Sequence, residues 1–201
     1  GRSQRFGSDK AFLEWRGKPL FRRQLALLRR LEPVNLWLSA NRDQVFPEVE
    51  GVRVLFDEEA DQGPLGGLLT VFRASDAEWI LVLGVDLPLM EGGYLQGLIP
   101  GLHGMVPKSE RFWEPLAAMY PRVAMLDLLE KARAEGERKL QVILAQAEEL
   151  GIVKSLEISD ADKLLFTNLN STTDLADLDP SRTDDTVRIR RFRDGTFQEE
   201  T

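Results

Sequence analysis

The segment that most restricts the fold is a near-continuous apolar run from Trp79 to Val85, which ends directly at Asp86. A run of this length and composition is typical of a strand that is buried on both faces of a sheet. Two earlier stretches, Val34–Leu38 and Val52–Phe56, alternate apolar and polar residues and also predict strands. Since a strand buried on both faces needs a layer of structure on each side, the regions between the strands decide the fold class.

Those regions carry the period of amphipathic helices. Pro19 suits the first turn of a helix whose apolar face is formed by Leu20, Phe21, Gln24, Leu25, Leu28 and Leu31. Further helices are predicted at Leu65–Ala74, Tyr94–Ile99, Arg122–Ala134 and Lys139–Leu150, and later strands at Leu116–Tyr120 and Ile152–Ile158. Strands that alternate with helices predict an α/β fold with three layers around a mostly parallel sheet.

Polar residues follow three of the predicted strands at the point where each strand ends. Asn41 comes just after the first strand, Asp57 directly after the second, and Asp86 directly after the apolar run. In open α/β sheets, ligands bind beyond the carboxyl ends of the strands, so these three residues are expected to line one site. Any one of them alone would be explained better by a helix cap or a turn. Their occurrence together favours a binding site.

The chain opens with a glycine-rich segment, G-R-S-Q-R-F-G-S-D-K. Gly1 and Gly7 would let backbone N–H groups wrap around phosphates, with Ser3, Arg5 and Lys10 adding donors and positive charge. The spacing matches neither a Walker loop nor a dinucleotide fingerprint. A flexible basic N-terminus is the alternative interpretation, although the segment leads straight into the apolar residues Ala11–Leu13.

Composition excludes several kinds of chemistry and partner. The 201 residues include no cysteine and one histidine, His103, so thiolate metal sites, disulfides and histidine-based catalysis are excluded or disfavoured. We expect His103 to be a loop or surface residue. The formal charge of −7 argues against nucleic acid as a partner. No apolar run approaches the roughly 20 residues of a spanning helix, so we expect no membrane insertion and a cytoplasmic location.

Several short motifs together resemble the nucleotidyltransferases typified by molybdenum cofactor guanylyltransferase. The glycine-rich segment up to Ala11 resembles that family's G-G-x-S-x-R-M-G-x-D-K-A loop, and the other matching segments follow in family order up to about Leu178. They are Gly17–Leu20, Asn41-Arg42, Asp57 with Gly63–Gly67, Asp86–Pro88, Glu114–Leu116, Gly136–Leu140 and Phe166–Asn170. Each is weak alone, but the ordered series is specific.

The resemblance implies a Rossmann-like enzyme that joins the guanylate of GTP to the terminal phosphate of molybdopterin and releases pyrophosphate. By matched position, Lys10 and Asp86 would be the catalytic residues, with Asp86 also holding Mg²⁺. The segment with Gly1, Ser3, Arg5 and Gly7 would cradle the triphosphate. The resemblance further implies that Asn41 and Asp57 bind the guanine nucleotide, and that Asn168 and Asn170 lie on the acceptor side.

The sequence departs from the family pattern at three places. The family's N-x-N segment usually continues with Thr-Pro, whereas Ser171–Thr173 follows Asn170 here. Glu114 stands where many relatives have a smaller or neutral residue, and we expect Lys108 or Arg111 to offset its charge. The family also has a strand before its glycine-rich loop. We therefore predict that the domain, residues 1–179, is completed by an upstream strand of about five or six residues that precedes Gly1.

Residues 180–201 form a linker and tail. The Asp194-Gly195 pair between two short apolar-alternating stretches predicts a hairpin, and a disordered tail or a docking tail is the alternative. The tail also resembles the opening of the formate dehydrogenase accessory sulfurtransferase, so it is a candidate start of a second domain. For the function as a whole, the alternatives are a cytidylyltransferase or other nucleotidyltransferase, and a catalytically silent nucleotide-binding module that works with other molybdoenzyme maturation proteins.

Overall fold

The structure is a computed structural model that describes residues 10–57, 63–99, 102–168, 190–193 and 196–199. Its helices are α1 (Leu20–Arg29), α2 (Gly63–Ala74), α3 (Gly92–Gly97), α4 (Arg122–Ala134) and α5 (Leu140–Glu149). Its strands are β1 (Glu14–Trp15), β2 (Lys18–Pro19), β3 (Trp37–Ala40), β4 (Arg53–Phe56), β5 (Trp79–Leu83), β6 (Gly104–Lys108), β7 (Ala117–Pro121), β8 (Val153–Glu157), β9 (Arg190–Arg193) and β10 (Thr196–Glu199). The predicted helices and the strands predicted before Asp86 are all present.

The strands form two sheets that matter for the site. β3 and β4 pair in parallel, and β5, β7, β6 and β8 form a four-stranded sheet in that order. Within the larger sheet, β7 runs antiparallel to both neighbours, while β6 and β8 are parallel. The prediction of an α/β fold with parallel strands is confirmed, and β7 is the strand that runs against the common direction.

The helices cover the strands from both sides, which confirms the three-layer arrangement. On one face, α2, α4 and α5 pack on Ile80, Val106 and Tyr120. On the other face, α1 and α3 pack on Leu81, Leu83 and Met119. Alternate residues of β5 therefore enter opposite cores, as its continuous apolar composition predicted.

One strand of the large sheet was not predicted. β6 begins at Gly104 and contains Pro107, residue types that are typical of turns and strand edges rather than of a central strand. β6 pairs with β8 along one edge and with β7 along the other, so neither of its edges is open. Pairing with strands distant in the chain, rather than local propensity, decides this element.

The hairpin predicted for the tail is present. β9 and β10 pair antiparallel with Thr196 opposite Arg193, so two residues connect them. Residues 194 and 195, like residues 1–9 and 169–189, lie outside the described part of the chain. The upstream strand and the second domain both stay predictions. Among the described residues, no helix is long and apolar enough to cross a membrane.

Candidate active site

The loop after β5 holds Asp86 at the carboxyl end of the sheet. The N–H of Gly84 donates to the carbonyl of Leu116, which ties this loop to the residue preceding β7. A Cβ on Gly84 would lie 2.7 Å from Asp86 Oδ1 and 3.2 Å from Leu116 Cβ. The carboxylate of Asp86 therefore lies directly over Gly84, where any side chain larger than that of glycine would collide with it.

Helix α1 fixes the same loop from the other side. Gln24, a buried residue of α1, donates from Nε2 to the carbonyl of Leu87 at 2.7 Å and to that of Gly84 at 3.2 Å. The Nε of Arg23 donates to the carbonyl of Pro88 at 2.7 Å. These bonds occupy carbonyls on both sides of Asp86. Sequence analysis placed Gln24 on the apolar face of the helix but did not find this role, because its partners lie about sixty residues away.

Asn41 and Asp57 lie side by side at the ends of β3 and β4. The last pair of the parallel register joins Ala40 to Phe56, and the N–H of Asp57 donates to the carbonyl of Ala40 at 2.9 Å. The backbone N–H of Asn41 donates to the side-chain oxygen of Gln44 at 2.7 Å. The convergence predicted for these two strand ends is therefore present in the structure.

The carboxylate of Asp57 is oriented by a neighbour that the sequence did not reveal. Ser39 Oγ donates to Asp57 Oδ1 at 2.9 Å. The first turns of α2 approach this pair closely, since a Cβ on Gly67 would lie 2.9 Å from Ser39 Oγ. Gly67 thus lets α2 lie directly against the serine and aspartate. A hydroxyl one position before the end of a strand carries no local signal for this contact.

Lys10 and Asp86 each adjoin, in sequence, a residue of one apolar cluster. Lys10 begins a single 3₁₀ turn that ends at Phe12, and the adjacent Ala11 is buried against α1. Val85, adjacent to Asp86, packs against the same cluster, as does Leu38 of β3. The turn that contains Lys10 therefore shares its apolar cluster with β3 and with the residue before Asp86. The other glycine-rich loop positions, Gly1, Ser3, Arg5 and Gly7, lie outside the described residues.

A second carboxylate accompanies Asp86. Glu114 precedes β7 and is half-buried, with its N–H donating to the carbonyl of Pro107 at 2.8 Å. Burial and, to a smaller extent, the negative charge of Asp86 raise the pKa of Glu114 above its ordinary value. The two carboxylates therefore interact across the junction of β5 and β7.

The prediction that Lys108 offsets the charge of Glu114 was wrong. Its ammonium lies 4.3 Å from the centre of the Trp113 ring and 3.8 Å from Glu148 Oε2. The other candidate, Arg111, is exposed in the loop between β6 and β7. Lys108 is therefore part of a structural contact with Trp113 and α5.

The donor set fits a divalent cation held partly by a substrate. Across the described residues, no group of three or more histidine, aspartate or glutamate side chains could hold a metal by itself. Mg²⁺ is commonly bound by one or two carboxylates together with phosphate oxygens and water. Asp86, with Glu114 beside it, supplies carboxylates of that kind at the carboxyl end of β5.

The acceptor-side prediction rests on residues at the border of the described chain. Asn168 is exposed. One residue separates it from the end of a 3₁₀ turn at Lys163–Phe166, and Asn170 lies outside the described part of the chain. This turn packs on α3 through Phe166, whose ring meets that of Tyr94 edge to face at 5.2 Å. Asn168 therefore follows an element that is anchored next to the loop of Asp86.

Two other features lie away from this site. His103 Nδ1 lies 2.9 Å from the carbonyl oxygen of Gly151 in a loop contact. An open groove of about 1050 Å³ is lined by residues such as Asn35, Arg53 and Asp76. Because those residues surround the starts of β3 and β4 and the end of α2, this groove is at the edge opposite Asn41 and Asp57.

Comparison with known proteins identifies similar sequences over most of the chain. The family model described as a MobA-like NTP transferase domain matches residues 1–150. A Pseudomonas putida (strain KT2440) protein named molybdenum cofactor guanylyltransferase is 34% identical over 183 residues, which cover 88% of this chain and 92% of the relative. A relative of the same name from Xanthomonas euvesicatoria pv. vesicatoria is 35% identical over 161 residues, covering 79% of this chain and 75% of the relative.

Solved structures share the fold at lower identity. Molybdopterin-guanine dinucleotide biosynthesis protein A from Archaeoglobus fulgidus superposes with a TM-score of 0.68 at 23% identity, covering 88% of this chain and 92% of that one. The 2-C-methyl-D-erythritol 4-phosphate cytidylyltransferase of Thermus thermophilus reaches 0.65 at 16% identity, covering 83% and 90%. At these identities the structures establish the Rossmann-like nucleotidyltransferase architecture alone.

Proposed function

Since this chain belongs to the MobA-like NTP transferase family and is therefore a nucleotidyltransferase, we propose that it transfers GMP from GTP to molybdopterin and releases pyrophosphate. The observation that carries the proposal is the placement of Asn41 and Asp57 side by side at the ends of β3 and β4. Asp86 follows β5 in the same way. Relatives named for this reaction, at 34% identity over most of both chains, support the choice of substrates.

In this proposal, Asn41 and Asp57 bind the guanine nucleotide. Guanine presents an N–H group and an amino group on one edge, and a carboxylate can accept a hydrogen bond from each. Ser39 orients the carboxylate of Asp57 through its 2.9 Å hydrogen bond. Because the side chain is already ordered, nucleotide binding costs less conformational entropy. Cytosine has no matching pair of donors, so this arrangement favours GTP over CTP.

The phosphates are bound by the start of the chain. Lys10 and Arg5 neutralise negative charge, while Ser3 and the backbone around Gly1 and Gly7 donate hydrogen bonds to the triphosphate. Local cations are needed because the protein carries a formal charge of −7 and both substrates are polyanions. Asp86 is the residue that would hold Mg²⁺, which when bound offsets the charge that develops on the departing pyrophosphate.

The reaction itself needs positioning more than proton transfer. An oxygen of the acceptor's terminal phosphate attacks the α-phosphorus of GTP, forming a new P–O bond while the bond to the β-phosphate breaks. The electron pair leaves with pyrophosphate, and the attacking oxygen is already anionic at neutral pH, so no strong base is required. A chain without cysteine and with one histidine is therefore adequate for this chemistry.

The acceptor lies on the β7 side of Asp86. Asn168 and Asn170 contribute amide groups there, and other molybdoenzyme maturation proteins deliver or receive the cofactor. Because the reaction draws on GTP, we place the protein in the cytoplasm.

The proposal is tested by incubating the protein with Mg-GTP and molybdenum-loaded molybdopterin. We expect the guanine dinucleotide and one equivalent of pyrophosphate, measured by chromatography and a coupled pyrophosphate assay. Calorimetric titration with Mg-GTP and with Mg-CTP then tests the choice of base. Tighter binding of CTP would identify a cytidylyltransferase instead, and nucleotide binding without product would identify a catalytically silent module.

Replacing Asp57 with asparagine should weaken GTP binding by about tenfold, since it exchanges one acceptor oxygen for a donor that faces donors on guanine. CTP affinity should change little. The measurement is the Kd of each nucleotide by isothermal titration. Asp43→Asn is the matched control, because Asp43 is an exposed aspartate in the loop that follows Asn41. Equal losses in the two variants would contradict a role for Asp57 in reading the base.

A further inference from the structure

Gln24 is a polar residue on the buried face of α1. It is 5% exposed, and the helix buries Leu20, Phe21 and Leu25 as well. Its side-chain oxygen, Oε1, is buried and has no hydrogen-bond partner among the described residues. Because an unpartnered buried acceptor lowers the free energy of unfolding, an apolar side chain would suit this position better for stability alone. The amide is therefore expected to serve another purpose.

The nitrogen of this amide bridges the loop that carries Asp86. Nε2 has two hydrogens, and it donates to the carbonyl of Leu87 at 2.7 Å and to that of Gly84 at 3.2 Å. Val85 and Asp86 lie between these two carbonyls in the chain. Since the backbone has only two soft dihedrals per residue, fixing carbonyls on both sides of Asp86 restricts the direction in which its side chain leaves the backbone.

Arg23, the preceding residue of α1, adds a third bond to the same loop. Its Nε donates to the carbonyl of Pro88 at 2.7 Å. Its guanidinium also lies over the buried ring of Trp15, 5.0 Å from the ring centre, in the β1–β2 hairpin. Consecutive residues of α1 thus bond three carbonyls around Asp86, so the helix holds this loop in addition to the strand that precedes it.

Helix α1 is anchored independently of these bonds. The N–H of Leu20, at the start of the helix, donates to the carbonyl of Leu13 at 2.9 Å. Phe21 and Leu25 belong to an apolar cluster, and Val85 packs against the same cluster. Because its own core contacts fix the helix, α1 can impose a position on the loop that it bonds.

We propose that Gln24 is a positioning residue for nucleotidyl transfer, which holds residues 84–87 so that the carboxylate of Asp86 keeps the orientation that a bound magnesium ion requires. This inference rests on the proposed function, in which Asp86 holds Mg²⁺. Mg²⁺ demands near-ideal octahedral geometry with ligands at about 2 Å, so a displaced carboxylate binds it more weakly. Gln24 itself contacts neither the metal nor the substrates in this account.

The first test replaces Gln24 with methionine, which has a similar length but no donor. In the unliganded protein, hydrogen–deuterium exchange followed by mass spectrometry should show residues 84–90 exchanging about tenfold faster, with α4 unchanged. The Mg²⁺ concentration for half-maximal transfer should rise about tenfold, and saturating Mg²⁺ should restore most of the rate. The KM of the acceptor should not change, because the variant alters no group that binds it.

Gln24→Glu separates hydrogen bonding from packing. The introduced side chain has the shape of glutamine, but in neither protonation state can it donate to both carbonyls. We therefore expect it to raise the Mg²⁺ requirement at least as much as Gln24→Met does. A packing role predicts the opposite order, since glutamate is the closer match in shape.

Ser75→Ala is the matched control for a lost buried hydrogen bond. Ser75 is 5% exposed, and its Oγ accepts from the N–H of Ala77 at 3.1 Å. It lines the groove at the edge opposite Asn41 and Asp57. This variant should lower the Tm, whereas its transfer rate and Mg²⁺ requirement should match those of the wild type.

The other outcomes are distinguishable. Unchanged Mg²⁺ requirement and loop exchange in both Gln24 variants would overturn the inference and leave the proposed function intact. A loss of folded protein in both, or a loss of activity that Mg²⁺ does not restore, would overturn it in favour of a structural role. If the wild type formed no dinucleotide, the proposed function would fail, while loop exchange and the affinity for Mn²⁺ with GTP would still decide the role of Gln24.

Discussion

Replacing Asp86 with alanine is expected to lower the rate of nucleotidyl transfer at least about 10³-fold, because metal-assisted charge stabilisation contributes several kcal/mol to such reactions. The fold should survive. The loop around Asp86 is held by bonds from Gln24 and Arg23 to its backbone carbonyls, and by the buried side chains of Leu87 and Met90, none of which involves the aspartate side chain.

Three measurements separate a catalytic effect from a structural one. Far-UV circular dichroism and Tm should match the wild type, whereas the affinity for Mn²⁺ in the presence of GTP, followed by electron paramagnetic resonance, should fall at least about tenfold. Glu91→Ala, which removes an exposed carboxylate from the start of α3, should retain both activity and metal binding. Normal turnover by the Asp86 variant would remove this residue from the mechanism.

The sequence predicted the site to the extent that the site follows from strand direction. Once β3 and β4 are recognised by their apolar patterns, the parallel rule places the next polar residue of each strand at one edge, as the structure shows for Asn41 and Asp57. Asp86 follows β5, a strand of the separate four-stranded sheet, so its place in the same site stays a prediction. The fold class follows from the same alternation of strands and helices. Both predictions depend on local patterns whose period is set by the backbone.

The parts that the sequence did not predict depend on contacts between distant residues. Gln24 looked like one more member of a helix face, but its amide bonds the loop about sixty residues later. Ser39 looked like an ordinary strand residue, and its role comes from a carboxylate at the end of the next strand. β6 was missed because its glycine and proline are tolerated through pairing on both edges.

Substituting Gly84 with alanine should reduce transfer by about 10²-fold, since a shift of about 1 Å at a reacting group has an effect of this size. The new Cβ would lie 2.7 Å from Asp86 Oδ1, a contact that the aspartate side chain can relieve by rotating away. It would also lie 3.2 Å from Leu116 Cβ, so a loss of about 1–2 kcal/mol in the free energy of unfolding is expected from overpacking. The larger effect should therefore appear in activity rather than in stability.

Gly92→Ala is the matched control, because its Cβ would meet Leu27 Cδ1 at 3.6 Å, an ordinary van der Waals distance, and it should retain wild-type activity. A double-mutant cycle then identifies the cause. If Gly84→Ala acts by displacing the carboxylate of Asp86, combining it with Asp86→Ala should give an enzyme no slower than Asp86→Ala alone, because the displaced group is already absent. Losses that multiply in the double variant would show that Gly84 affects the site through Leu116 and β7 instead.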